Sequence, residues 1–302
     1  MKNVNKAVLI ALLIVLGGMP GLIAQSGKKS NKTADKRICV TFDNLPAERN
    51  YGEMERLEIN QRILDALKEH GVTATGFVIG DNVESDWDVL VAWLEDGHAL
   101  GFQTFSGQDI EGVPAQVFIG DLIKGQEAIE DILQSYSQKA RYFRFPYLHY
   151  GSTVTRKDAV AEYLAETKIK VAHATIVPED FVYNLSMEKI KNRRDSVELF
   201  ALRDEYLTHL LNQLASAETM AERVMKRPVR HILSLRVNLL NAVFLDDILS
   251  TLESKGYSFI TLKTALKDKV YGKVDYYYGN KIMSFLERLT VPKPEKKMNG
   301  TD

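Results

Sequence analysis

Cysteine is all but absent from this sequence, neither sign of charge is in excess, and no segment repeats another. Each shortage excludes something. The one thiol, Cys39, has no partner for an internal disulfide, and its setting in the apolar run ICVTF predicts a buried, inert side chain. The 39 basic and 40 acidic side chains leave a net charge of −1, and no basic stripe is interleaved with aromatics, which argues against a nucleic-acid partner. The loop after the first predicted strand, TFDNLPAE, holds no glycine, which removes the phosphate cradle of a nucleotide-binding sheet. Hairpin signals are missing between the predicted strands as well.

What is present suits a packed globular protein of 302 residues: 45% hydrophobic and 26% charged. The N-terminus departs from that average. Two lysines in MKNVNK precede an uncharged apolar run over residues 7–24, the pattern of a secretory signal peptide cleaved after Ala24. An uncleaved membrane anchor is the alternative, because the run sits near the lower length limit for a span. Residues 25–36 read as a polar linker, residues 37–290 as one domain, and residues 291–302 as a disordered tail. The folded part is expected outside the cytoplasm, in the periplasm or the extracellular space.

Periodicity organises the domain. Strands are predicted at 37–43, 72–80, 98–103, 141–145, 169–177, 229–237 and 257–262. Helical spacing covers 56–71, 85–97, 115–138, 154–167 and 241–256, with Ser85 and Asn241 as caps, a helical insertion near 188–226 and a short helix from Thr264. Such alternation implies the α/β class, with parallel strands covered by helices, as a barrel or as an open doubly wound sheet. Polar residues gather where these strands end: Asp43 and Asn44, then Gln103, Thr104 and Ser106, then Arg144, Pro146 and Tyr147, then Asp180, then Arg236. In a parallel barrel those ends share one mouth, where chemistry is built.

These stretches, in this order, resemble the NodB-homology polysaccharide deacetylase family. VTFDNLPA resembles its first motif, Thr-Phe-Asp-Asp; DGHALGFQTFSGQDI its second; YFRFPYLHYG its third; TIVPEDF its fourth; and HILSLRVNLLNAVFLDDIL its fifth. The resemblance runs from about Arg37 to about Leu289. It implies a distorted parallel (β/α) barrel and a glycan partner, an N-acetylated oligosaccharide or polysaccharide from which such enzymes remove acetyl groups. It places Asp43 at the general-base position, with Arg144, Tyr147 and Asp180 at the other catalytic positions. Thr104, Pro146 and Tyr147 fall where substrate is bound. The positions that hold a divalent metal, usually zinc, carry Asn44, Gln103 and Gly107 here, and the general-acid position carries Arg236.

Those departures decide the expected chemistry. Zinc wants carboxylate, imidazole or thiolate, whereas two amides and a glycine offer weak donors or none. A guanidinium stays protonated and does not shuttle a proton. The expectation is a protein without a resident cofactor, in which Arg236 replaces the ion's charge by pairing with Asp43 or Asp180. His149 is the one histidine placed near the site; His70, His98, His173, His209 and His231 read as structural or solvent-facing. Tyr276, Tyr277 and Tyr278 read as packing, with stacking on sugar as the alternative, and the mixed charges over 192–205 as a solvated face. Three functions follow: an exported pseudo-deacetylase that keeps its glycan groove, an active deacetylase with a relocated ion, or a structural envelope protein that binds a partner.

Overall fold

The computed structural model describes residues 36–48, 50–191 and 196–294. The leader, the linker up to residue 35 and most of the predicted tail lie outside these residues, as do residues 192–195 of the mixed-charge run; Lys36, read as the end of the linker, is already strand. Among the described residues, strands β1 (Lys36–Leu45), β2 (Thr75–Val78), β3 (Ala99–Phe102), β4 (Tyr142–Phe143), β5 (Lys170–Val171), β6 (Arg230–Arg236) and β7 (Tyr257–Phe259) form one sheet. The order is β5-β4-β3-β2-β1-β6, every pairing is parallel, and β7 pairs with the start of β1. β1 and β6 are buried along nearly their whole length, which is why both read as near-continuous apolar runs. Past β5, Ile176 bridges to Leu233 of β6, and the curled half-barrel is drawn round toward its own far edge.

The helices cover the sheet: α1 (Glu53–Glu69), α2 (Trp87–Glu95), α3 (Ala115–Ala128), α4 (Glu130–Ser135), α5 (Val154–Glu166), α6 (Asp180–Ile190), α7 (Ser196–Met225), α8 (Leu239–Ser254), α9 (Leu262–Ala265) and α10 (Phe285–Arg288). Of the two geometries that the alternation allowed, the chain takes the curled one. No helix of the described residues is long and apolar enough to cross a membrane.

Local predictions fail in instructive ways. The helix expected over 115–138 breaks at Ile129 into α3 and α4, although no proline or glycine marks the break. The caps shift as well. Asp86, not Ser85, holds the cap position of α2, and the Ser85 hydroxyl bonds to Asp86 and to the Asn82 carbonyl. Asn238, not Asn241, caps α8, accepting from the Asn241 N–H at 2.9 Å. That frees the Asn241 amide for the site described next. The expected fourth and fifth strands shorten to two residues each.

Candidate active-site groove

The site is set by register. β1 and β6 pair Thr41 with Ser234 and Asp43 with Arg236. Residues two apart on a strand share a face, so these four project together at the strands' C-terminal ends. Arg144, fully buried just past β4, reaches into the same place. Its Nη1 donates to Ser234 Oγ at 2.7 Å and to Asp43 Oδ2 at 3.2 Å, and its Nη2 donates to Thr41 Oγ1 at 3.0 Å. Its guanidinium lies 4.6 Å from the Phe77 ring centroid. The Ser234 hydroxyl donates onward to Asp43 Oδ2 at 2.5 Å. Asp43 is 8% exposed, and its other oxygen, Oδ1, finds no hydrogen-bond partner among the described residues.

A second ion pair lies beside the first. Asp180 opens α6 and is 1% exposed. It accepts from the Arg236 backbone N–H at 2.6 Å, from Arg236 Nη1 at 2.8 Å and from Asn241 Nδ2 at 2.6 Å. The helix N-terminus favours the same carboxylate. The Arg236 guanidinium stacks 4.5 Å over the Phe181 ring. Of the two partners considered for Arg236, Asp180 is the one it takes, and Arg144 takes Asp43.

The positions expected to hold a metal also converge. Asn44 sits at φ 62°, and the β1–β2 pairing slips register between Phe42 and Leu45. This is a bulge built on a left-handed asparagine, a device that re-aims the chain beside functional sites. The bulge turns the Asn44 N–H to Gln103 Oε1, 3.2 Å away. Gly107, at φ 70°, has no side chain to offer. One oxygen of the set is therefore engaged by backbone, one is a neutral amide, and the third donor is missing. Among the described residues, no group of three His, Cys, Asp or Glu side chains is placed to hold an ion. The donor set does not fit zinc.

Asp43, Asn44, Gln103, Gly107, Pro146, Tyr147 and Arg236 line one groove of about 550 Å³ together with Glu48, Phe181 and Ile282. Arg144 and Asp180 do not line it; they are buried and act through Asp43 and Arg236. Thr104 stands apart, fully buried, its hydroxyl unpartnered among the described residues, and Ser106 lines the groove instead. Tyr147 is 55% exposed and holds φ 56°, and Leu148 follows at φ 55°. Consecutive left-handed residues with large side chains mark stored strain, which concentrates at functional sites.

The histidines are placed as follows. His149 pairs with Asp109 at 2.8 Å and does not line the groove. His98 and His231 are buried and His173 is half-buried, and desolvation lowers the pKa of each, that of His231 to about 4. Burial pushes the Cys39 thiol up to about 12, in keeping with an inert side chain. The tyrosines 276–278 do not line the groove; Lys157 Nζ sits 5.0 Å from the Tyr278 ring centroid, and Tyr277 Oη accepts from the Lys281 N–H.

Sequence reading missed Thr41, Ser234, Asn241 and Glu48. The first two were findable, since they precede Asp43 and Arg236 by two residues on their strands. Glu48 was not, because it reaches the groove from the loop after β1. Burial raises its carboxyl pKa, with Asp180 and Glu188 adding to the rise and Arg236 opposing it.

Residues 30–166 match the polysaccharide deacetylase domain. The chain is 31% identical over 110 residues to a peptidoglycan-N-acetylglucosamine deacetylase of Bacillus cereus, a stretch that spans 36% of each protein. It is 22% identical over 237 residues to a peptidoglycan-N-acetylmuramic acid deacetylase of Bacillus subtilis, covering 78% of this chain and 74% of that one. Its fold matches the crystal structure of a CE4 family pseudoenzyme from Bacillus anthracis with a TM-score of 0.55 at 17% identity, over 77% of this chain and 66% of that one. The curled parallel sheet, the motif residues gathered at its C-terminal mouth and these matches together place a polysaccharide deacetylase domain of the NodB-homology type in this chain.

Proposed function

We propose that this protein is an exported pseudo-deacetylase: a metal-free member of its family that retains a groove for N-acetylated glycans. One observation carries the reading. At the three metal-holding positions stand two neutral amides, one of them already bonded to the backbone of the other residue, and a glycine. The positive charge a dication would supply is instead brought by Arg236, paired with Asp180, while Arg144 pairs with Asp43. Neither group activates water or gives up a proton. Asp43 is left as a hydrogen-bond acceptor, and the exposed Tyr147 ring at the rim offers a face on which a pyranose can stack. Export is supported by the apolar run at residues 7–24 and by the peptidoglycan substrates in the names of the relatives.

The purified protein tests this in three measurements: zinc by elemental analysis, acetate release from N-acetylglucosamine oligomers, and calorimetric titration with the same oligomers. Sub-stoichiometric zinc, no turnover and measurable binding are expected. Stoichiometric zinc with turnover would remove the proposal. Restoration is the complementary test. Asn44→Asp, Gln103→His, Gly107→His and Arg236→His together rebuild a donor set and an acid. A side chain at position 107 must keep φ 70°, with its Cβ 3.2 Å from Ile79 Cδ1. The variant is therefore expected to bind zinc at a stability cost of about 1–2 kcal/mol from position 107. A folded quadruple variant that binds no zinc would show that these positions are wrongly assigned.

A further inference from the structure

The charges around the groove do not balance. Three carboxylates, Asp43, Glu48 and Asp180, face two guanidinium groups, Arg144 and Arg236, which leaves one negative charge in excess. The pairing is also specific. Arg144 serves Asp43 and Arg236 serves Asp180, at 3.2 and 2.8 Å. Glu48 is half-buried against the groove, and its side chain has no hydrogen-bond or ion-pair partner among the described residues. Asp43 lines the same groove, but its Oδ2 already receives two hydrogen bonds and its Oδ1 is out of reach of solvent. A carboxylate without a donor is costly to enclose, and a ligand that brings a charged donor relieves it.

We infer that the groove selects a primary ammonium carried on a sugar ring, the de-N-acetylated form of the glycan over the acetylated form. The Glu48 carboxylate is its acceptor, with the Asp43 charge beside it in the groove. This rests on the glycan-groove reading and adds to it the chemistry of the sugar's nitrogen. An ammonium offers three donors and a positive charge, which match the oxygens of the unpaired Glu48 carboxylate and one excess negative charge. An acetamide offers one donor, no charge, and a carbonyl oxygen that meets no dication here. Stacking on Tyr147 would serve both forms alike, so the discrimination is carried by the carboxylates. The protein would then read the product of deacetylation without performing it.

The test is calorimetric titration of the wild-type protein with a glucosamine trimer and an N-acetylglucosamine trimer, at a pH where the amines are charged. Short oligomers avoid the non-specific attraction of a long polycation. The glucosamine trimer is expected to bind on the order of tenfold more tightly, with a preference that shrinks as salt rises. Glu48→Gln should remove most of that preference, weakening the glucosamine trimer more than the acetylated one. Because the Glu48 side chain has no hydrogen-bond or ion-pair partner among the described residues, this variant tests the idea without the stranded charge that Asp43→Asn leaves on Arg144. Equal or tighter binding of the acetylated trimer overturns the inference and leaves the glycan groove standing. A preference that survives Glu48→Gln overturns it too, since the ammonium would then be held elsewhere. Binding of neither trimer overturns both readings.

Discussion

Arg236 is the residue on which the site's electrostatics turn. Asp180 is almost completely enclosed, and Arg236 is its only cationic partner at hydrogen-bond distance among the described residues. Removing one member of a buried ion pair strands the other. Arg236→Ala is therefore expected to lower stability by about 2–4 kcal/mol, the Asn241 and backbone hydrogen bonds to Asp180 softening the loss. A drop in the denaturant midpoint with unchanged slope would register it. Tyr147 should behave in the opposite sense. Its ring is largely exposed and its backbone is left-handed, so Tyr147→Gly relieves strain and is expected to gain about 0.5–1 kcal/mol. The same substitution should weaken oligosaccharide binding if the ring is a stacking face. A calorimetric melt and a titration of one variant read both effects.

Among the elements, α3 holds the loop that carries Gln103 to Gly107. Asp121 accepts the Phe105 N–H with its carbonyl at 2.9 Å, and its carboxylate accepts from the Ser106 N–H and hydroxyl. Gly125, one turn further on, lies directly against that loop. A Cβ there would stand 2.4 Å from the Gln103 carbonyl oxygen and 2.7 Å from the Thr104 carbonyl carbon. A glycine inside a helix costs about 1 kcal/mol relative to alanine, and here its absence of a side chain is what permits the contact. Gly125→Ala should reverse the usual preference. It is expected to destabilise by about 1–3 kcal/mol and to displace the 103–107 loop. Denaturant unfolding together with oligosaccharide affinity measures both, and a stabilised, fully binding variant would refute this account of the packing.

Over the whole molecule, buried histidines set the response to acid. Burial holds His98, His173 and His231 neutral in the fold. His173 Nδ1 accepts from Arg288 at 3.0 Å, which requires an unprotonated nitrogen. Each group has a folded pKa below its unfolded value of about 6.5, so the unfolded chain takes up protons first as pH falls. Their contribution is intact above that value and is lost on acidification, through a window reaching down to about 4 for His231. That residue alone represents about 3 kcal/mol at the bottom of its window. His70 works the other way. Burial lowers its pKa, but hydrogen bonds to Asp246 and Glu253 outweigh burial and raise it, which favours the fold on the acid side. The net expectation is a urea midpoint that falls between neutral pH and about pH 4–5, and falls less in His231→Gln.

The alternation of strand and helix, the apolar strand interiors and the grouping of Asp43, Arg144, Tyr147, Asp180 and Arg236 at strand ends are all local pattern, and pattern of that kind is written in order along the chain. The same holds for Asn44, Gln103 and Gly107, whose poverty as metal donors is a matter of composition. Three things were decided only by the fold. The partition of the arginines, Arg144 to Asp43 and Arg236 to Asp180, depends on which side chains meet across more than fifty residues of sequence. The bulge at Asn44 depends on how β1 must slip against β2 to keep both strands buried. The arrival of Glu48 in the groove depends on the course of a loop that no periodicity describes. Residue type and spacing are properties of the chain, whereas pairing between distant charges is a property of the closed sheet, because only there do they share a low-dielectric space.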